Sequence, residues 1–334
     1  ETLALAAKEA GDKDKEGNDP SALNGPWRVG LDLPRYIPIQ TYAVNRAVRE
    51  KVYRAFVSRA SDGKLSNKKI IEEILDLRNK QAKLLGFKSW CEISLVTKMA
   101  DNEEAVERLL EELRSAALPH AEKEIIQLRE CAKRNGESDH FELSPWDVSF
   151  WSEVLRKEKY DLDQEKLRPW FPLDQVLSGL FNLCKRLFEI DIEEAINEAP
   201  LWHRDVRFFN IKNLNGQKIA SFYLDPFSRP ATKRGGAWMD ECLCRNKKNK
   251  DDIVLPVAYL VCNQTPPISD KPSLMSFEEV ETLFHEFGHG LQHMLTTVNY
   301  PQAAGINNVE WDAVELASQF MENWCLEDQT ISEI

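Results

Sequence analysis

The feature that most constrains this chain is a five-residue motif of the form H-E-x-x-H, His285-Glu286-Phe287-Gly288-His289. Four residues of α-helix turn the chain by about 400° and raise it by about 6 Å, so the two histidines lie one turn apart on nearly the same face. Two imidazoles at this spacing can bind one tetrahedral zinc ion and leave a position for water. Glu286 can then accept a proton from that water. The motif therefore predicts a single Zn²⁺ site with His285 and His289 as ligands and Glu286 as the base.

The residues around the motif have the periodicity of an amphipathic helix. At 100° per residue, the large apolar side chains between Phe277 and Leu295 fall on one face, about 160° to 280° from the first histidine. Ser276 and Glu279 form a capping box at the start. A surface helix could carry the motif by chance, but with only 6 histidines in the chain we expect this in about one such chain in a hundred. The polar face that both histidines share favours the metal site.

A catalytic zinc ion needs a third protein ligand, and the residues after the motif offer His293, Glu310, Glu315 and Glu322. We predict a second helix from Asn307 to about Trp324, with Glu315 at the centre of its polar face. On that helix Glu310 falls toward the apolar side or in the cap, and Glu322 lies about 10 Å further along the axis. His293 lies two turns beyond the first histidine. We therefore predict Glu315 as the third ligand.

Histidine ligands normally donate their second N–H to a carboxylate or a carbonyl. Glu281 precedes His285 by one helical turn on the same face, and Asp312 precedes Glu315 by a similar distance. Both carboxylates are predicted to support the ligands next to them. An ordinary solvated helix charge explains each of them equally well, and the sequence leaves the two interpretations open.

Charge and cysteine content limit the partners and the compartment. The net charge of −12 argues against nucleic acid or an anionic membrane as the main partner. The longest apolar run, Ile253 to Cys262, is interrupted by Pro256 and is too short to span a bilayer. The 7 cysteines have no disulfide-framework spacing, and Cys242 and Cys244 lack a second pair at zinc-finger spacing. These residues predict free thiols in a reducing intracellular compartment, either the cytosol or an organelle stroma.

The hydrophobic pattern predicts a mainly α chain with a small β-sheet, an α+β fold. Residues 1–25 are predicted to be a mobile charged segment. Residues 26–203 are predicted to form a helical lobe, with a short strand at Trp27 and a helix that Pro119 kinks or splits. Residues 204–334 are predicted to hold the sheet and the zinc-binding helices.

Strand-like alternation follows the helical lobe. Residues 204–211 and 218–224 are predicted to form a hairpin around an Asn-Gly turn, and residues 253–264 a further strand. Pro256 favours an edge position for that strand, since proline cannot donate a ladder hydrogen bond. An edge strand beside a metal site can pair with an extended peptide. An ordinary buried strand explains the same residues equally well.

Four segments together resemble a known family. They are FHEFGHGLQH at 284–293, WDAVELASQFMENW at 311–324, DPFSRPATKRGGAWM at 225–239 and NGPW at 24–27. The chain is similar along essentially its whole length to the thimet oligopeptidase family of zinc peptidases. Within that family it resembles the oligopeptidase A branch, which has plant organellar and cytosolic members.

The resemblance implies a zincin-like pair of helices beside a small sheet, with a helical lobe before it. It implies His285, His289 and Glu315 as the zinc ligands and Glu286 as the general base. It also implies a deep channel that admits oligopeptides and excludes folded proteins. We expect the protein to be a monomer.

On the substrate side, the resemblance implies that Val257, Ala258 and Tyr259 lie on a substrate-pairing edge strand, and that Gly305 lies in a substrate-side loop. Family members continue beyond this helix pair with tyrosine and histidine side chains that bind the substrate carbonyl and the oxyanion, a contribution often of a few kcal/mol. We therefore expect a fragment of a longer protein. The alternative is a truncated, non-catalytic helical protein that binds peptides or a partner and retains the metal site.

Overall fold

The computed structural model describes residues 2–161, 164–229, 231–249, 252–267 and 272–334. The chain forms two compact units, Glu1–Val96 with Ala100–Leu162, and Thr97–Met99 with Asp163–Ile334. The described residues are mainly helical with a small sheet, which confirms the predicted α+β class. None of the described helices has an apolar stretch long enough to cross a membrane.

The first unit is helical. Its helices are α1 (Thr2–Glu9), α2 (Leu33–Tyr42), α3 (Arg46–Val57), α4 (Lys68–Leu84), α5 (Trp90–Leu95), α6 (Glu103–Arg134) and α7 (Pro145–Tyr160). Pro119 lies inside α6 without splitting it, because a proline removes only one backbone N–H from this 32-residue helix. The strand predicted at Trp27 is wrong, since residues 26–30 have no regular structure. The predicted mobile segment begins with α1, where Ala4 and Ala7 are buried; its mobility stays a prediction.

A buried ion cluster joins α3 to α7 in this unit. Asp147 is fully buried and accepts hydrogen bonds from Arg49 Nη2 at 2.8 Å and from Arg46 Nη2 at 2.8 Å. The Arg49 guanidinium is itself buried and also donates to the backbone carbonyl of Ala43 at 2.7 Å. Burial by itself raises the pKa of Asp147, but the two arginines and the Ser144 N–H outweigh burial and hold the pKa below its ordinary value.

Replacing Asp147 by asparagine is expected to lower the free energy of unfolding by about 3–5 kcal/mol, because the buried charge of Arg49 loses its partner. The folded pKa of Asp147 is depressed, so its contribution is present above about pH 4 and is lost as the pH falls through the folded value. Urea unfolding at several pH values should therefore show a difference between variant and wild type that shrinks in acid. Glu111→Gln, in the exposed pair with Arg114, is the control and should not shift the midpoint. A pH-independent difference for Asp147→Asn would contradict the assignment.

The second unit contains a five-stranded sheet in the order β1-β2-β3-β7-β4. Its strands are β1 (Ile190–Glu194), β2 (Arg207–Asn213), β3 (Lys218–Phe227), β4 (Trp238–Leu243) and β7 (Val257–Gln264), while β5 (Asn246–Asn249) and β6 (Asp252–Val254) form a separate ribbon. Its helices are α8 (Gln164–Leu167), α9 (Leu173–Phe188), α10 (Phe277–Met294), α11 (Leu316–Asn323) and α12 (Asp328–Glu333). The β3–β7 pair is parallel and the other neighbours are antiparallel.

One face of the sheet carries the main core. Alternate residues of the strands, such as Phe222 and Leu260, bury their side chains there with the apolar sides of α9 and α10. The opposite face carries a smaller cluster that includes Phe208 and Tyr223. Because its apolar side is packed into the main core, α10 presents its polar side away from it.

The division between the units lies near residue 162, whereas the sequence predicted a boundary between residues 203 and 204. The difference is due to α9, whose side chains Val176, Leu180 and Leu183 are fully buried in the same core as the sheet. Helical periodicity identifies an apolar face but does not identify the layer that this face will cover.

Candidate metal centre

α10 begins with the predicted capping box. Ser276 Oγ accepts the Glu279 N–H at 3.2 Å, and Glu279 Oε2 accepts the Ser276 N–H at 2.7 Å. Glu279 also accepts hydrogen bonds from the N–H of Thr265 at 2.9 Å and from Arg168 Nη1 at 3.0 Å. This one carboxylate therefore fixes the start of α10 to the segment that leaves β7, and so sets the position of the motif about two turns further on.

The structure brings the three predicted ligands together. His285 Nε2 lies 3.2 Å from Glu315 Oε2, and His289 Nε2 lies 3.0 Å from the same oxygen. One ligand atom from each of the three residues lies within 4.8 Å of the others. The imidazoles are nearly perpendicular, at 85°, with their centroids 4.9 Å apart. Two nitrogens and one carboxylate oxygen thus converge on one point.

Glu315 reaches this point from a turn. The second helix was predicted from Asn307, but α11 begins only at Leu316, with Glu315 in the N-cap position. Gly305 and Asn308 have φ angles of +64° and +58°, and such left-handed residues cannot continue a helix. The predicted ligand is therefore in place, although the predicted start of its helix is wrong.

Two features hold Glu315 against α10. Ser318 Oγ, which is fully buried, lies 2.8 Å from Glu315 Oε2 and 2.9 Å from its backbone oxygen. Gly288, inside the motif, allows the helices to touch: a Cβ there would lie 2.5 Å from the backbone oxygen of Ala317 and 2.7 Å from the Cα of Ser318. The motif glycine is therefore needed for the approach of Glu315 to the two histidines.

Burial and neighbouring charges set the protonation of the centre. Burial raises the pKa of Glu286 to about 7, against the lowering effect of His285, and the charge of Glu315 adds to the rise. Burial lowers the pKa of His289 below its ordinary value, which favours the neutral imidazole. Burial raises the pKa of Glu315, but the hydrogen bond from Ser318 and the two histidines outweigh it, so the net shift is downward. Neutral imidazole and ionised carboxylate are the forms that bind a metal.

The carboxylate at the second nitrogen of His285 is Glu322, which is neither the predicted third ligand nor one of the two predicted supporting carboxylates. His285 Nδ1 lies 2.5 Å from Glu322 Oε1. Glu281 was predicted for this role; burial and the charges of Glu322 and Glu278 raise the pKa of Glu281 above its ordinary value. Asp312 accepts the backbone N–H of Met99 at 2.9 Å. The missed signal was the seven-residue spacing from Glu315 to Glu322, which is close to two full helical turns and directs the two side chains to the same side of α11.

His293, also considered as a ligand, has a structural position. It is fully buried, and its Nε2 donates to the backbone oxygen of Leu243 at 3.0 Å, which ties the end of α10 to β4. A Cβ at Gly305 would lie 2.5 Å from His293 Nδ1. Gly305 therefore packs its backbone directly on this histidine. Its predicted place in a substrate-side loop stays a prediction.

The prediction of an open edge at Val257, Ala258 and Tyr259 is wrong. These residues lie in β7, which pairs with β3 on one side and with β4 on the other. Pro256 lies between β6 and β7 and outside both, and its carbonyl accepts the N–H of Ser221 at 3.1 Å. The proline therefore does not mark an edge. Among the described strands, β4 forms the edge of the sheet on this side.

Comparison with known proteins agrees with the predicted resemblance. Residues 39–334 match the model of peptidase family M3. The chain is 53% identical over 335 residues to an organellar (chloroplastic/mitochondrial) oligopeptidase A of Arabidopsis thaliana. The aligned region covers 99% of this chain and 42% of that protein. It is 45% identical over 337 residues to oligopeptidase A of Escherichia coli, and the aligned region covers 99% of this chain and 48% of that protein. It is 34% identical over 332 residues to a dipeptidyl carboxypeptidase of Escherichia coli, and the aligned region covers 99% of this chain and 46% of that protein.

The chain thus spans a little under half the length of these curated relatives. The family match nevertheless extends over most of the chain and includes α10, which carries both histidines, and the turn that carries Glu315. The chain belongs to peptidase family M3.

Proposed function

We propose that this chain carries the catalytic metal centre of a zinc-dependent endopeptidase that hydrolyses oligopeptides. The observation that carries the proposal is the convergence of His285, His289 and Glu315 within 4.8 Å, with Glu286 buried beside them. The names of relatives such as oligopeptidase A support peptides as the substrate class.

The donor set fits one zinc ion. Two imidazole nitrogens and one carboxylate oxygen are a common ligand set of catalytic zinc sites, which keep one further position open. The lowered pKa values of His289 and Glu315 favour the forms that bind a metal. Zinc held by these three residues would supply Lewis acidity, which acidifies a water molecule and polarises a peptide carbonyl.

Glu286 is the proposed general base. It follows the first histidine directly and is almost completely buried, so its carboxylate is shielded from bulk water. It accepts one proton from the attacking water as the carbon–oxygen bond forms, and it passes this proton to the amine as the peptide bond breaks. The carboxylate is thus regenerated in each cycle.

The free edge of β4 is the proposed site for the substrate backbone. β4 lies at the end of the sheet in contact with α10, to which Leu243 is joined by the His293 hydrogen bond. An extended peptide can add to such an edge as a further strand through main-chain hydrogen bonds. This assignment replaces β7, whose two sides are already paired.

We further propose a monomer in a reducing compartment, the cytosol or an organelle stroma. All seven cysteines are free in the structure. Relatives at this level of similarity carry the names of organellar and cytosolic oligopeptidases.

Metal removal tests the proposal. The purified protein is expected to bind one zinc ion per chain, and a chelator should abolish cleavage of a quenched fluorescent peptide until zinc is restored. His285→Ala should lose the zinc, whereas His140→Ala, at an exposed position of the other unit, should retain it. A wild-type protein without bound zinc would refute the metal centre. Zinc binding without any peptide cleavage would favour the non-catalytic alternative.

A further inference from the structure

We infer that Glu322 is a positioning residue that fixes the ring and the tautomer of His285 for metal binding. The inference rests on the proposed zinc site and adds a carboxylate that lies outside the ligand set. Its basis is the contact of 2.5 Å between Glu322 Oε1 and His285 Nδ1.

The chemistry of the two groups defines the tautomer. A carboxylate only accepts hydrogen bonds, so Nδ1 must carry the proton in this contact. In the neutral imidazole the lone pair then lies on Nε2. Nε2 is the nitrogen that faces Glu315 Oε2, at 3.2 Å. Glu322 therefore selects the form of His285 that directs a free lone pair at the other two ligands.

α11 contacts both edges of the same ring. Glu315, at the start of the helix, faces Nε2, and Glu322, about two turns further on, faces Nδ1. One carboxylate belongs to the N-cap residue of α11 and the other to its last turn, and α10 packs closely against the start of α11 at Gly288. The imidazole of His285 is thus fixed by two contacts whose separation is set by helical geometry.

The support is unequal between the two histidines. Nδ1 of His289 is buried and has no hydrogen-bond partner among the described residues. On its Nδ1 side His289 is therefore held by packing, with its ring only 10% exposed. The ring of His285 is 25% exposed and has the carboxylate. We expect the removal of Glu322 to act on His285 and to leave the His289 ring unchanged.

The test compares Glu322→Ala and Glu322→Gln with the wild-type protein. Zinc affinity is measured by competition with a chromophoric chelator, and the imidazole nitrogens are followed by ¹⁵N NMR, which is practicable with only 6 histidines. Glu322→Ala should weaken zinc binding about 10- to 100-fold, the usual loss when such a supporting contact is removed. It should also abolish the protected Nδ1–H signal of His285. Glu322→Gln should show a smaller loss, because its amide oxygen still accepts the Nδ1–H.

Glu310→Gln is the matched control, since Glu310 is exposed and lies just before the same helix. Equal loss of zinc affinity in Glu310→Gln and Glu322→Ala would indicate a general charge effect and overturn the inference. Wild-type affinity in Glu322→Ala would also overturn it, while the proposed zinc site would stand. If Glu322→Ala binds zinc more weakly than the wild type but the wild type cleaves no peptide, the inference stands and the proposed peptidase function fails.

Discussion

Glu286→Gln is expected to retain zinc and to lower the rate of peptide cleavage by at least about 1,000-fold, within the range of 10²–10⁴ typical for general acid–base catalysis. The amide has nearly the size of the carboxylate but cannot accept the proton of the attacking water. Glu286 is 5% exposed, and the substitution places a neutral group of nearly the same shape in this buried position. We therefore expect the fold and the three metal ligands to remain unchanged.

The measurement pairs zinc content with the kcat for a quenched fluorescent peptide. Glu278→Gln is the control, because Glu278 lies on the same helix but is exposed in its first turn. It should have wild-type kcat and zinc content. A Glu286→Gln variant that holds zinc and cleaves at the wild-type rate would refute the role of Glu286. Loss of zinc would show that Glu286 supports the site instead.

The parts of the site that depend on local pattern could be predicted from the sequence. The 100° rotation per residue placed His285 and His289 on one face of α10, and the same reasoning singled out Glu315. The structure places these three residues together. Glu315 lies beside both histidines even though the residue precedes its helix, because its side chain reaches α10 from the N-cap position. Its role as a metal ligand stays a prediction.

The features that were missed depend on contacts between distant segments. Helical spacing alone places Glu322 about 10 Å from Glu315 along the helix axis, but the close packing of α10 against α11 brings it to Nδ1 of His285. The place of β7 inside the sheet follows from its parallel pairing with β3, which no local alternation encodes. Pro256 predicted an edge strand because the predicted strand, residues 253–264, included it. In the structure Pro256 lies between β6 and β7 and belongs to neither.

The same helix crossing leads to the second large effect. Gly288→Ala is expected to weaken zinc binding at least about 100-fold, the upper end of the loss for a supporting contact, without changing any ligand. The added Cβ would lie 2.5 Å from the Ala317 backbone oxygen and 2.7 Å from the Ser318 Cα. These are backbone atoms, so α11 must move as a whole, and Glu315 with Ser318 must move with it. Overpacking of this kind typically costs about 1–3 kcal/mol of unfolding free energy.

Gly290→Ala provides the matched control two residues further along the same helix. Its Cβ would meet Leu260 Cδ2 at 2.9 Å, a side-chain methyl group and not backbone, so a small adjustment of that side chain suffices and no helix has to move. In addition, alanine favours a helix over glycine by about 1 kcal/mol. Chelator competition and urea unfolding of the metal-free proteins should therefore separate the two variants, with Gly290→Ala close to the wild type in both. If Gly288→Ala bound zinc as tightly as Gly290→Ala, α11 would have to be free to shift without displacing Glu315, and the close helix crossing would not control the site.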